Sequence, residues 1–146
     1  MAKIATKSDR PRIDKELEKI AKENKGVLRP GDVVEYSKDP DTALHNHFEW
    51  DDTKAGHQFR LVQARRIIRA YMIVIENDHE VTVRAFVSLQ RDRGKDSYRS
   101  IKKVLADEVL RTELLEEALE ELRSLKMKYQ ILSELASVFE VIDKVT

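Results

Sequence analysis

The spacing of apolar residues near the end of the chain constrains the fold more than any other feature. They recur in alternating steps of three and four residues, at Leu115, Ala118, Leu122, Leu125, Tyr129, Leu132, Ala136 and Phe139. This spacing is typical of a helix with one apolar seam, as in a coiled coil. Asp107 is positioned to cap that helix. Residues 98–146 are therefore predicted to form a C-terminal helical arm.

The arm has two possible roles. In the first, it holds copies of the chain together in a homo-oligomer. The contact residues would then be Leu115, Leu122, Leu125, Tyr129, Leu132 and Phe139. In the second, the same stripe packs against another helix of its own chain.

Two helices are predicted before residue 40. Ile13, Leu17 and Ile20 follow a helical period, which indicates a helix over about 13–24 that ends at Asn24 and Gly26. Pro30 can open a second helix over about 30–38, which the sequence Asp39-Pro40-Asp41 stops. Residues 1–10 have no periodicity and are expected to be a disordered tail.

A third helix is predicted after Asp51 and Asp52, which would supply its N-cap. Its expected apolar face consists of Ala55, Phe59, Val62 and Ile67, widened by Ala64 and Ile68. Basic residues fill the opposite face, and no acidic residue occurs between positions 53 and 75.

The hydrophobic period changes from helical to alternating after residue 70. Residues 71–76 and 80–89 are predicted to form a β-hairpin with a turn at 77–79. A polar loop at 90–97 follows. The predicted fold is α+β and mostly helical: a winged-helix-like module over 11–97, with three helices and a hairpin, followed by the coiled-coil arm at 98–146.

The charges are balanced overall but unevenly distributed. The chain of 146 residues has 27 basic and 27 acidic residues, yet residues 54–103 have a net charge of +7 and residues 104–146 have −5. A basic middle segment attracts phosphate backbones. The alternative is that the acidic end of the same chain, or of a neighbouring copy, neutralises it.

The leading hypothesis for function is non-catalytic binding of nucleic acid, with double-stranded DNA as the expected partner. In a winged helix-turn-helix protein the third helix enters the major groove and the hairpin contacts the backbone. The candidate contact residues are Lys54, Arg60, Arg65, Arg66, Arg69, Arg84, Arg91, Arg93 and Lys95. The alternatives are a small α+β core with a solvated basic face, a protein–protein adaptor, and a structural oligomer.

Other kinds of chemistry have little support in the sequence. The absence of cysteine excludes disulfides, thiol catalysis and Cys-ligated zinc. A metal cluster built from His45, His47, Glu49, Asp51, Asp52 and His57 is chemically possible, but its spacing matches no known site. We favour a structured loop in which Phe48 and Trp50 anchor in the core. No nucleotide-binding or hydrolase motif is present, so neither enzyme activity nor a cofactor is predicted.

The segment LHNHFEWDDTKAGHQFRLVQARRII resembles a group of small, uncharacterised bacteriophage and prophage proteins. The resemblance covers about residues 13–140, and FEWDD is its most specific part. It implies an early-region phage protein with a regulatory or recombination-associated role, and no catalytic residues come with it. With no apolar membrane span and no signal peptide in the sequence, we expect a location in the cytoplasm of a bacterial host.

Overall fold

The computed structural model describes residues 9–54, 56–76 and 79–146. The protein is α+β and mostly helical, with 62% helix. It folds as two compact units, Met1–Lys103 and Val104–Thr146. Three predictions lie outside the described residues: the disorder of residues 1–8, the position of Ala55 and the turn at 77 and 78.

Two helices form one side of the core of the first unit. Helix α1 (Arg10–Glu23) buries Ile13, Leu17, Ile20 and Ala21, and α2 (Pro30–Tyr36) buries Pro30, Val33 and Val34. Both helices were predicted, although α1 begins inside the expected tail. The predicted end of α1 is confirmed, because Asn24 is its C-cap residue.

Gly26 makes a tight connection after α1. Its φ of 85° lies in the left-handed region, where a side chain is strained. A Cβ atom at this position would also lie 2.3 Å from the Lys103 side chain. The N–H of Gly26 donates to the carbonyl of Ala21, and its carbonyl accepts from the N–H of Ser100.

The strands form two separate antiparallel sheets. Strand β5 (Tyr98–Ser100) lies between β1 (Val27–Leu28) and β4 (Phe86–Val87). Strands β2 (Met72–Glu76) and β3 (Glu80–Arg84) pair only with each other among the described residues. The short strands β1 and β5 were not predicted, and β5 occupies the first residues of the expected arm.

The predicted second strand of the hairpin, residues 80–89, is divided at Ala85. The N–H of Ala85 donates to the carbonyl of Tyr71 at 3.0 Å, whereas its carbonyl accepts from the N–H of Ile101 at 2.8 Å. Ala85 is only 5% exposed. The chain therefore bends at this residue and passes from one sheet to the other.

Helix α3 (His57–Ala70) and the short helix α4 (Gln90–Arg93) complete the first unit, and α5 (Ile101–Ala106) follows β5. The core contains Leu17, Leu28, Val33, Leu44, Ala64, Ile68 and Phe86, all at most 4% exposed. Among the described residues, no helix combines the length and apolar character needed to cross a membrane.

The second unit contains α6 (Glu108–Tyr129) and α7 (Ala136–Val145), which are in contact. The predicted cap is confirmed, because Asp107 Oδ1 accepts from the N–H of Leu110 at 3.0 Å. The apolar seam does not continue along one helix. Gln130 is the C-cap of α6, a short 3-10 turn occupies Ser133–Leu135, and α7 follows. Lys126 forms an ion pair with Asp143 on α7.

Candidate nucleic-acid interface

Helix α3 presents a different face to solvent from the one predicted. Its buried residues are Gln63, Ala64 and Ile68. Phe59 and Val62, predicted to be apolar core positions, are 51% and 47% exposed, so that prediction is wrong. Gln63 occupies a core position because its Oε1 accepts from the N–H of Glu49. Hydrophobicity alone could not reveal this contact.

The start of α3 also differs from the prediction. Gly56 is the N-cap residue, and no side chain caps the helix. Asp51 instead accepts the N–H and hydroxyl of Thr53 at 2.9 and 2.6 Å, and these hydrogen bonds lower the pKa of Asp51. Lys54 lies in this turn, not on the helix, with its Nζ 3.8 Å from an Asp51 carboxylate oxygen.

Arg60 holds the segment before α3 in place. Its guanidinium donates to Asp52 at 2.7 Å and to the carbonyl of Glu49 at 3.3 Å. It also lies 5.6 Å from the centroid of the Trp50 ring, and only 13% of the side chain is exposed. A cation held in this way has little capacity to contact a phosphate.

The segment at His45 to Trp50 is a packed aromatic structure. The His45 and Trp50 rings stack with centroids 5.1 Å apart, and the indole N–H of Trp50 donates to the carbonyl of His45 at 2.9 Å. Phe48 is 6% exposed and Trp50 packs against the core, so the predicted anchoring of both rings is confirmed. In the part of the chain that the structure describes, no group of three or more His, Asp or Glu side chains could hold a metal ion.

A bidentate ion pair between Arg65 and Asp96 links α3 to the segment between β4 and β5. Arg65 Nε donates to Asp96 Oδ1 at 3.0 Å, and Nη2 donates to Asp96 Oδ2 at 2.8 Å. The hydrogen bonding to Asp96 raises the pKa of Arg65. Asp96 has a left-handed φ of 47°, a conformation that Asp adopts more readily than most residues. Arg65 therefore positions the neighbouring segment.

The segment between β4 and β5 is itself fixed by a buried carboxylate. Asp92, 3% exposed, accepts from Arg99 Nε at 2.7 Å and from Arg99 Nη2 at 2.8 Å. It also accepts from the N–H of Leu89, at the start of α4. The predicted loop is thus a short helix and a turn with an internal ion pair.

Sequence reasoning missed Asp92 and Arg99, because charged residues in a polar segment are normally solvated. One signal was present. Asp92 lies three residues after Leu89, which is the spacing of a carboxylate that returns to the backbone at a helix N-terminus.

The remaining candidate cations are exposed. Arg66, Arg69, Arg84 and Lys95 form no ion pair with any residue that the structure describes. Arg91 and Arg93 are also exposed, although each has a further interaction. We call Arg66, Arg69, Arg91, Arg93 and Lys95 the basic surface. The Arg65–Asp96 pair joins the part of this surface on α3 to the part between β4 and β5. Arg69 lies one helical turn from Arg65, and Lys95 is adjacent to Asp96.

No protein-family model, curated protein or solved structure matches the chain.

The proposed oligomerisation residues are divided between exposed and buried positions. Leu115, Leu125, Tyr129 and Leu132 are 57%, 42%, 38% and 44% exposed, and Leu122 is half-buried. Phe139 is 6% exposed and is one of two buried residues of α7. The exposed members are available for contacts with another molecule, but Phe139 is not.

Proposed function

We propose that this protein binds double-stranded DNA without catalysing a reaction, through α3 and the segment between β4 and β5. The observation that carries the proposal is the Arg65–Asp96 pair. It joins a helix with exposed arginines to a loop with three exposed cations. A rigid basic surface loses little conformational entropy when it meets a phosphate backbone.

The order of the elements supports a winged-helix-like arrangement. Apart from the β2–β3 hairpin and the short helical segments, the first unit has in chain order a helix, a strand, two helices and two strands, β4 and β5. Strands β4 and β5 form a sheet with β1, in the order β1-β5-β4. The β2–β3 hairpin is an insertion between α3 and that strand pair. We propose that α3 enters the major groove and that the segment at 88–97 is the wing. This differs from the prediction made from the sequence, in which residues 71–89 formed the wing.

The exposed side chains of α3 have the chemistry of a groove-binding helix. Arg66 and Arg69 can bind phosphates or guanine edges, and Phe59 and Val62 can contact thymine methyl groups. The mixture of two arginines and two apolar residues on one solvent-facing side has no role in the core, since Ala64 and Ile68 fill that role. The phage-type role, regulatory or recombination-associated, rests on the sequence resemblance alone.

Fluorescence anisotropy with a labelled random duplex at about 50 and 200 mM salt tests the proposal. We expect tight binding at low salt and a loss of two or more decades at high salt. The variant R66Q/R69Q should bind less tightly, with a salt slope that is less steep by about 1 for each phosphate that is no longer neutralised.

The matched control is K15Q/K22Q, which removes two exposed positive charges from α1. It should bind almost as tightly as the wild type. No binding at low salt, or equal losses of affinity in the two double variants, would contradict the proposed interface.

A second candidate function, protein–protein contact, is favoured by the second unit. Its exposed apolar side chains include Leu115, Met127, Ile131, Val141 and Val145, each at least 54% exposed. Exposed apolar side chains that lie together are typical of a contact surface. An adaptor or oligomer that uses it would tolerate salt and would be weakened by Leu115→Lys, whereas DNA binding would not.

A further inference from the structure

The β2–β3 hairpin contacts the core of its own chain through Ile73, which is only partly buried. None of its ten residues is buried, and an isolated two-stranded sheet is only marginally stable in water. Met72, Val74 and Val81 are 46%, 53% and 47% exposed. The hairpin therefore leaves about half of the surface of three apolar side chains exposed to solvent.

The outer edge of β3 can be identified from one hydrogen bond. The N–H of Ala85 donates to the carbonyl of Tyr71, which makes 71 and 85 a hydrogen-bonded pair in the register of β2 and β3. Because bonding alternates along an antiparallel ladder, Val81 and Val83 direct their backbone groups toward β2. Glu80, Thr82 and Arg84 direct theirs outward, and no described strand pairs with this edge.

The sequence of β3, Glu-Val-Thr-Val-Arg, complements itself when a second copy runs antiparallel. With the two-fold axis at Thr82, Glu80 faces Arg84 of the second copy, and Val81 faces Val83 of the second copy. The outward-facing residues 80, 82 and 84 then form the hydrogen-bonded pairs, as an antiparallel ladder requires. Strand β2 lacks this property, because the same operation would place Met72 opposite Glu76.

The charges within the hairpin favour the same arrangement. Glu80 lies directly opposite Glu76 in the register of β2 and β3, and like charges in directly opposed positions are unfavourable. Arg84 lies opposite Met72 and forms no ion pair with any described residue. A second copy would place an opposite charge directly across from both Glu80 and Arg84.

We propose that two copies of this protein associate through the outer edges of β3 and form a four-stranded antiparallel sheet. The contact is symmetric, so each pair of charges occurs twice. Strand β3 has no proline and no lysine, the residues that commonly protect an edge from pairing. This inference does not depend on DNA binding.

A charge-exchange series tests the dimer by analytical ultracentrifugation of the full chain from about 1 to 200 μM, a range that spans weak to moderate association. The wild type should show a concentration-dependent monomer–dimer equilibrium. Glu80→Arg and Arg84→Glu each place like charges opposite one another at two positions, so each should raise the dimer Kd about tenfold or more. The combined variant E80R/R84E restores opposite charges and should return the Kd to within about threefold of the wild type.

Two controls separate this interface from other effects. Glu23→Arg makes the same change of charge at an exposed position of α1 and should leave the Kd unchanged. Leu115→Lys alters the second unit and should also leave it unchanged. Circular dichroism should show the same helix content for all variants.

Three outcomes would overturn the proposal. The first is a wild-type protein that stays monomeric up to about 200 μM, a concentration at which even a weak edge-to-edge dimer would be detected. The second is a combined variant that is no better than the single variants. The third is loss of the dimer in Leu115→Lys with no loss in Glu80→Arg or Arg84→Glu, which would assign association to the helical arm.

Discussion

Strands β4 and β5 have two and three residues, whereas β2 and β3 have five each. The shorter pair nevertheless belongs to the better anchored region. The segment that joins β4 to β5 contains Leu89, Asp92 and Ser97, all at most 4% exposed, whereas the longer hairpin buries no residue. Strand length is therefore a poor guide to rigidity in this protein, and the buried side chains between strands are a better one.

The difference suggests separate roles for the two regions. The segment between β4 and β5 is held by Arg99 on β5 and by Arg65 on α3, so it presents its cations in a fixed position. The β2–β3 hairpin has free backbone groups and exposed apolar side chains, which suits a region completed by another molecule. Four predictions test this comparison.

Replacement of Asp92 should have the largest effect on stability. Asp92→Ala removes the buried carboxylate that accepts from the Arg99 guanidinium and from the N–H of Leu89. We expect the free energy of unfolding to fall by about 3 kcal/mol, measured by urea denaturation. A loss below about 1 kcal/mol would mean that the segment is not anchored by this pair. The control is Asp39→Ala, at an exposed position whose side chain accepts the N–H of Asp41 and no other hydrogen bond from the described residues.

Asp96→Asn should affect binding more than stability. The Arg65 and Asp96 side chains are 29% and 42% exposed, so the loss of stability should stay below about 1 kcal/mol. Asn keeps the tolerance for a left-handed φ. Because Asn offers Arg65 one acceptor oxygen and no negative charge, the link to α3 is weaker, and we expect DNA affinity to fall several-fold in the anisotropy assay. Affinity equal to that of the wild type would show that the link does not matter for binding.

Tyr71, at the junction of the two regions, should make stability sensitive to alkaline pH. Its ring contacts Phe86, and its hydroxyl donates to Glu18 at 2.7 Å. Burial raises the pKa of Tyr71, and the hydrogen bond to Glu18 raises it further. The folded state retains the phenol proton of Tyr71 at pH values where the unfolded chain has lost it. The contribution of Tyr71 to the free energy of unfolding is therefore complete below the unfolded-state pKa of about 10. It is lost as the pH rises toward the folded-state pKa.

Thermal unfolding between about pH 9 and 11 tests this prediction. Over that range, Tyr71→Phe should lose less stability than the wild type. Both proteins contain the other three tyrosines, so the difference between their curves reports on Tyr71. Parallel curves for the two proteins would contradict it.

The exposed face of the β2–β3 hairpin should show the smallest effect. Val74→Thr replaces a side chain that is 53% exposed with one of similar shape and high strand propensity. We expect a change within about 0.5 kcal/mol, measured by urea denaturation at a concentration where the protein is monomeric. A larger loss would show that this face is covered within the chain, and the comparison between the two regions would fail.

Much of the fold follows from the sequence, because periodicity reports local structure. The helical spacing of Ile13, Leu17 and Ile20 predicts α1, and the cap at Asp107 predicts the start of α6. The two-residue strand β1 and the three-residue strand β5 are too short for a periodic signal. They form because Gly26 and Ala85 hydrogen-bond to residues 100 and 101, and such distant contacts cannot be read from a local pattern.

The candidate site was predicted only in part, and for a related reason. Composition identified the basic segment, but it could not separate cations held by carboxylates from exposed ones. Arg60, Arg65, Arg66 and Arg69 all lie on α3, and the local sequence does not distinguish them. The carboxylates that bind Arg60 and Arg65, Asp52 and Asp96, lie 8 and 31 residues away. The orientation of α3 depended on the burial of Gln63, a polar residue that a hydrophobic pattern assigns to solvent.

The Asp92–Arg99 pair has a consequence for how this protein can change over generations. The two residues are seven positions apart, so this ion pair closes a short loop locally, in addition to the link from Asp96 to Arg65 on α3. Position 95, which lies between Asp92 and Arg99, is exposed and forms no ion pair with any described residue, so its side chain can be exchanged without disturbing this frame. A lineage could thus retune the charge of this loop through one codon while the scaffold stays constant. A library randomised at position 95 would keep a high proportion of folded members.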